Sequence, residues 1–190
     1  MEKIIKEKLV KFWETNYIFC KEQHRFRRGR SCLTNLLETL ENWTEALDQG
    51  YGLDVVYLDY MKAFDSVPHR RLLEKLKGFG IHGKLLPWLE NFLTSRTMKV
   101  GLRGIFSLLQ MVLSGVPQGS VLEPLLFLMF VNELPYWIKN EIRMFADDTK
   151  IWCRIKTETD SATLQEHLDN LIEWFNTWQL KFNAEKCKVG

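Results

Sequence analysis

The chain has 190 residues, 46% hydrophobic and 26% charged, with seven Trp and twelve Phe. This is ordinary for a soluble globular protein with substantial aromatic packing, and it excludes a repeat or low-complexity chain. The net charge of +2 is too small for bulk charge alone to announce a nucleic-acid binder.

Residues 2–13 place Ile4, Ile5, Leu9, Phe12 and Trp13 at helical spacing. A basic knot follows, HRFRRGR (24–30). The spacing then predicts a helix over 31–50, with Ser31 as N-cap, Gly50 as stop, and Leu33, Leu36, Leu37, Leu40 and Leu47 on its buried face. VVYL (55–58) reads as a buried strand ending at Asp59. Helices are expected from Pro68 to Gly80 and over 83–94. Residues 97–113 read as a hairpin turning near Arg103–Gly104, and SGVPQGS (114–120) as a loop. Pro124 opens a buried helix to Glu133. RMFADDTKIW (143–152) is strand, turn, strand. Residues 161–178 form a helix with Leu164, Leu168, Leu171, Ile172, Phe175 and Trp178 inward, and LKFN a last short strand. The order implies an α+β fold, a mainly antiparallel sheet with helices packed on one face.

Cys20, Cys32, Cys153 and Cys187 form no CxxC pair and have no His at metal-finger spacing, so they read as reduced intracellular packing residues. MEKIIKEKLVKFW lacks the apolar core of a secretory leader. PLLFLMFV (124–131) is too short to span a bilayer, so no membrane partner is expected.

The chemistry-bearing feature is Asp147–Asp148, set between Met144, Phe145, Ala146 and Ile151, Trp152. Adjacent aspartates in a turn are common by themselves. Against low-dielectric surface, however, two such carboxylates raise each other's pKa unless a cation is present, and Mg²⁺ suits oxygen ligands. If the strand ending at Asp59 pairs beside the hairpin, Asp59 meets one of the pair across the sheet. Convergent carboxylates of this kind hold two Mg²⁺ ions for in-line phosphoryl transfer. Asp54 and Asp65 are rival carboxylates, better suited to capping strand and helix ends.

LDYMKAFDSV, SGVPQGSVLEPLLF and FADDT, in that order, resemble motifs A, B and C of reverse transcriptases. QHRFRRGRS, LLEKLKGFGIHGKLLPWLENFLTSRTMKV and WFNTWQLKFNAEKCKV resemble the same enzymes in non-LTR, LINE-type retrotransposons of jockey-like kind. The resemblance covers essentially the whole chain. It implies one partial polymerase domain over 1–190, with 1–50 a helical fingers and palm-entry region and 51–190 a palm. Fingers strands are then expected upstream of Met1 and a thumb downstream of Gly190.

The resemblance also implies an RNA-directed DNA polymerase that uses an RNA template, a DNA primer, deoxynucleoside triphosphates and two Mg²⁺, with Mn²⁺ as a substitute. Asp59 and Asp147 match the aspartates that bind both metals. Asp148 matches their supportive neighbour, and the Tyr60 carbonyl contributes to the metal beside the triphosphate. Phe64 matches the aromatic gate that clashes with a 2′-hydroxyl. Gln118 and Gly119 match residues lining the nucleotide pocket, and Lys186 stands where a lysine protonates the leaving pyrophosphate. Arg25, Arg27, Arg28 and Arg30, just before a helix N-terminus, are placed to track the template backbone. A nuclear location is implied by resemblance only.

Two residues depart from the pattern. Arg25 stands where these proteins usually carry Gly, and Glu123 where motif B usually reads Gly before Pro. Glu123 is expected to be strained if that position needs positive φ, and its charge to repel phosphates. The alternative reading is therefore a catalytically inactive retroelement remnant that at most binds nucleic acid.

Overall fold

The computed structural model describes residues 1–190. Its elements begin with α1 (Glu2–Thr15), α2 (Cys32–Asp48), β1 (Gly52–Leu58), α3 (His69–Gly78) and α4 (Leu85–Thr94). Short strands β2 (Thr97–Met98), β3 (Gly101–Leu102), β4 (Ile105–Phe106) and β5 (Gln110–Met111) follow. The chain continues with α5 (Glu123–Val131), a 3₁₀ turn at Leu134–Trp137, β6 (Glu141–Phe145), β7 (Asp148–Ile155), α6 (Glu158–Trp178) and β8 (Lys188–Val189). The class is α+β with antiparallel strand pairing throughout the named strands. No helix is long and apolar enough to cross a membrane.

The main sheet has the order β6-β7-β1-β8. Strand residues alternate between its faces. Val56, Leu58, Ile142, Met144 and Ile151 enter the main core, whereas Tyr57, Arg143 and Lys150 stand on the opposite face. The core side is filled by α1, α3, α5 and α6. Every side chain from Leu125 to Val131 in α5 is buried, as a helix apolar all round requires.

The expectation of helices on one face fails at α2, which packs on β1 and β6 from the other side. Trp43 of α2 meets Trp152 edge-on, with centroids 6.0 Å apart, and Asn35 Nδ2 donates to the Met144 carbonyl at 3.1 Å. The face of α2 is also corrected. Asn35, Thr39 and Ala46 are buried, while Leu33, Leu36, Leu37, Leu40 and Leu47 are 47–63% exposed. Small and polar residues let the helix approach the strands closely, and one of them uses a strand carbonyl. That geometry turns the leucine stripe outward. Ser31 caps the helix as expected, accepting from the Thr34 N–H at 3.2 Å, and Gly50 follows it at φ +77.

Three further expectations are adjusted. In α6, Trp174 and His167 are buried, whereas Ile172 is exposed. LKFN makes only one bridge, Phe182 to Tyr60, because the Phe182 ring packs on Phe175. The extended pairing with β1 falls to β8 instead. The 97–113 hairpin does turn at Arg103 and Gly104, both at positive φ, yet Leu102, Ile105 and Phe106 lie exposed.

Candidate functional site

The acidic corner follows from strand register. β1 and β7 are paired as far as Leu58↔Thr149, so one more step along the ladder sets Asp59 opposite Asp148. Cross-strand neighbours stand about 5 Å apart at Cβ. β6 and β7 are paired to Phe145↔Asp148, which leaves Ala146 and Asp147 as a two-residue turn. The turn therefore brings Asp147 and Asp148 together with Asp59. Asp148, rather than Asp147, shares with Asp59 the wall of a cleft of about 290 Å³.

Asp147 is half-buried. Burial pushes its carboxyl above the ordinary range, and the negative charges of Asp148 and Asp59 push it further. Its own backbone N–H and the Arg25 guanidinium oppose the rise. All three donors are carboxylates, the ligand type a hard divalent cation prefers. An acid whose proton affinity is raised by like charges is also where a cation gains most. The side chains thus fit a divalent ion chemically, although no three His, Cys, Asp or Glu side chains close into a metal-holding group in this conformation.

The strand end carrying Asp59 is fixed from behind. Asn183 N–H donates to the Asp59 carbonyl at 2.9 Å, and Met61 N–H to Lys181 O at 2.8 Å. The Tyr60 side chain is buried between Phe175 and Phe182. Its hydroxyl bonds Thr149 Oγ1 at 2.8 Å, and burial pushes the phenol's pKa well up. Lys186 is exposed and lines the same cleft as Asp59 and Asp148. The cleft is completed by residues the motifs do not mark, among them Tyr57, Arg143, Phe145, Lys150 and Leu36. Those on strands carry one sequence signal, alternation, since each shares a parity with an aspartate, whereas Leu36 stands on α2 and carries none.

Phe64 is half-buried and stacks on Phe127 of α5 at 4.3 Å. The 114–120 loop is zipped to the turn containing Phe64. Val116 N–H donates to Phe64 O at 2.8 Å, Gly115 N–H to Val67 O at 2.8 Å, and Ser114 Oγ to Asp65 O at 2.9 Å. Gln118 is exposed, and its Nε2 donates to Asp65 Oδ1 at 2.8 Å. Asp65 is thus occupied with the loop. Asp54 accepts from Ser161 Oγ at 3.1 Å near the start of α6.

Glu123 is not strained, contrary to expectation. It lies outside the positive-φ residues and opens α5, where a negative charge is favourable. Its carboxylate accepts the Gly119 N–H at 2.7 Å, with Gly119 at φ +77.

The arginine cluster divides. Arg27 donates to the Cys20 carbonyl at 2.7 Å and covers the Phe19 ring. Arg30 donates to His24 Nε2 at 2.8 Å and pairs with Glu38. Both guanidiniums are therefore engaged within the chain in this conformation. Arg25 is exposed and lies over Phe26 and Phe145, beside the acidic corner, and Arg28 is exposed.

A family profile described as reverse transcriptase (RNA-dependent DNA polymerase) matches residues 1–190. The chain is 31% identical over 196 residues to the RNA-directed DNA polymerase from mobile element jockey of Drosophila melanogaster, covering 98% of this chain and 21% of that protein. It is also 31% identical over 199 residues to the probable RNA-directed DNA polymerase from transposon BS of the same organism, again covering 21% of the relative. The chain therefore spans about a fifth of the length of these curated relatives. Among solved structures, telomerase from Candida tropicalis, in complex with a fragment of telomeric RNA, superposes with a TM-score of 0.71 at 13% identity, over 99% of this chain and 32% of that one. Telomerase from Candida albicans gives 0.68 at 14% identity, over 100% and 35%. At such identities the likeness is one of fold.

Proposed function

The chain belongs to the reverse transcriptase family, and from that premise we propose that it is the catalytic palm of an RNA-directed DNA polymerase, extending a primer 3′-hydroxyl with deoxynucleotides. In this reading residues 51–190 are the palm and residues 1–50 its entry from the fingers. The observation that supports it is the register that sets Asp59 opposite Asp148, with Asp147 in the adjoining turn.

Members of the family typically use divalent metals. Here Asp59, Asp147 and Asp148, with the Tyr60 carbonyl, would hold two Mg²⁺ or Mn²⁺, which when bound supply hydroxyl activation and neutralise charge on the leaving pyrophosphate. The chain's own residues do the rest. The three carboxylates concentrate negative charge at one corner, Asp59 and Asp148 on the cleft wall and Asp147 in the adjoining turn. Phe64, backed by Phe127, presents a wall to the sugar and disfavours a 2′-hydroxyl. Gln118 and Gly119 line the nucleotide, and Lys186, on the cleft wall, gives a proton to the departing pyrophosphate. Arg25 and Arg28 contact template and primer phosphates without reading sequence.

The test is primer extension on poly(A)–oligo(dT) with Mg²⁺ and dTTP, run beside Asp147→Asn. Extension by the parent that Asp147→Asn abolishes is expected. Equal extension by both overturns the assignment.

One observation favours a second reading, a non-catalytic remnant. The Glu123 carboxylate occupies the Gly119 N–H and places a negative charge beside the position assigned to the nucleotide. Absence of extension by the parent, together with extension by Glu123→Gly, would assign the silence to that carboxylate.

A further inference from the structure

Ala146 is the link between β6 and Asp147. Its backbone is held at φ +59, a left-handed conformation that a Cβ disfavours and that hairpin turns usually give to glycine or asparagine. Ala146 is also buried, so its peptide groups need partners inside the protein. Both find the same side chain. The Ala146 N–H donates to Gln23 Oε1 at 2.8 Å, and Gln23 Nε2 donates to the Ala146 carbonyl at 3.3 Å.

The amide orientation of Gln23 is fixed by chemistry. Oε1 also accepts the Arg25 N–H at 2.9 Å, and two backbone N–H groups can only donate, so the oxygen must face them. Gln23 itself is 2% exposed and lies outside the motif A, B and C segments.

The backbone around Gln23 is anchored on the same strand. Met144 N–H donates to Glu22 O at 2.9 Å and His24 N–H to Met144 O at 2.9 Å, which makes a parallel bridge between Gln23 and Met144. The His24 ring stands between Arg30 and Thr34. Its Nε2 lies 2.8 Å from the Arg30 guanidinium and 3.3 Å from the Glu38 carboxylate, and its Nδ1 lies 2.9 Å from Thr34 Oγ1. Gln23 therefore reaches the turn from backbone that is itself hydrogen-bonded to β6.

We infer that Gln23 is a positioning residue for the acidic corner. Its side-chain amide clamps both peptide groups of Ala146 and so sets the direction in which Asp147 and Asp148 leave the turn. The inference rests on the polymerase reading of that corner, since its consequence is read there as metal affinity. It also assigns a use to the first residue of QHRFR that is distinct from the arginines behind it.

The experiment uses the full 190-residue chain and compares Gln23→Met, which keeps the side chain's bulk, with Gln23→Glu, which keeps the acceptor oxygen. Two quantities are measured: hydrogen exchange of the amide at position 146 by NMR, and Mn²⁺ affinity from the free-ion electron paramagnetic resonance signal, with Asp147→Asn as control. In Gln23→Met the amide is expected to exchange at least about ten-fold faster, as a buried donor loses its acceptor. Mn²⁺ should bind about ten-fold more weakly, as when a partner behind a ligand is removed. Gln23→Glu keeps the acceptor for the Ala146 N–H but not the donor to its carbonyl, so protection of the amide should return while the carbonyl stays unclamped.

Should Gln23→Met fail to fold, the same change is made together with Ala146→Gly, where φ +59 carries no Cβ strain, and the same two shifts are expected. Unchanged exchange at position 146 overturns the clamp. Faster exchange with unchanged Mn²⁺ affinity overturns the positioning role. If the parent shows no Mn²⁺ binding that Asp147→Asn removes, the metal reading fails instead, and the clamp stands or falls on exchange alone.

Discussion

At Gly115 a single hydrogen atom decides whether two loops meet. The residue sits at φ +93, and a Cβ there would lie 2.8 Å from the Asp65 carbonyl oxygen and 2.9 Å from its Cα. Both obstacles are backbone, so neither moves aside as a flexible side chain would. His69 closes the contact by donating from Nε2 to the Gly115 carbonyl at 2.8 Å, which fixes its tautomer. Gly115→Ala is therefore expected to destabilise the chain by about 3 kcal/mol and to detach the 114–120 loop from the turn that carries Phe64. Urea denaturation measures the first effect; a midpoint equal to the parent's would show that the two loops are not clamped. The motif around Gly115 was legible in the sequence. The reason for a glycine was not, because the clashing atoms belong to a residue 50 positions earlier in the chain.

Helix α2 shows the same limit at the scale of an element. Its existence, its Ser31 cap and its end near Gly50 follow from local chemistry: a hydroxyl for a free N–H, helix formers between, and a glycine that tolerates positive φ. Its orientation does not. The leucine stripe predicts one buried face, and the sheet takes another, where Asn35, Thr39 and Ala46 allow close approach. Paired substitutions separate the two. Leu37→Gln with Leu40→Gln should change stability by only about 0.5 kcal/mol, because both side chains face solvent. Asn35→Leu should cost about 2 kcal/mol, since it removes the bond to the Met144 carbonyl and forces bulk against β6. Equilibrium unfolding of both variants checks the order. A larger loss from the leucine pair would restore the face that periodicity predicts.

Across the whole molecule, Lys75 ties α3 to α5 and α6. Its ammonium is almost fully buried, paired with Glu133 at 2.8 Å, bonded to the Phe130 carbonyl at 2.6 Å, and enclosed by Phe130, Trp174 and Trp178. Burial lowers its pKa to about 8, against the pull of Glu133. The unfolded chain, near the ordinary lysine value, then binds more protons than the folded one between about pH 8 and 10.5. The Lys75 contribution to stability must accordingly rise across that window and fall away as pH drops through 8. Its full span is about 3 kcal/mol. Burial raises Cys20 to about 11, which acts in the opposite sense over part of the same range. The quantity to measure is therefore the stability difference between parent and Lys75→Met from pH 7 to 11. A difference that does not change with pH would refute the buried charge.

The sequence by itself determined the helices, the strands that flank the acidic corner, the α+β class, the family resemblance and the identity of the acidic residues, because periodicity, caps and turn chemistry act over a few residues. Only the tertiary structure decided that α2 lies across the far face of the sheet, that Glu123 holds the Gly119 N–H, that Arg27 meets the Cys20 carbonyl and Arg30 the His24 ring, and that Gln23 grips the turn before Asp147. Each of these joins groups distant in sequence or competing for one partner. Such a choice is settled by which buried donors and acceptors can be satisfied at once, and no local pattern encodes it.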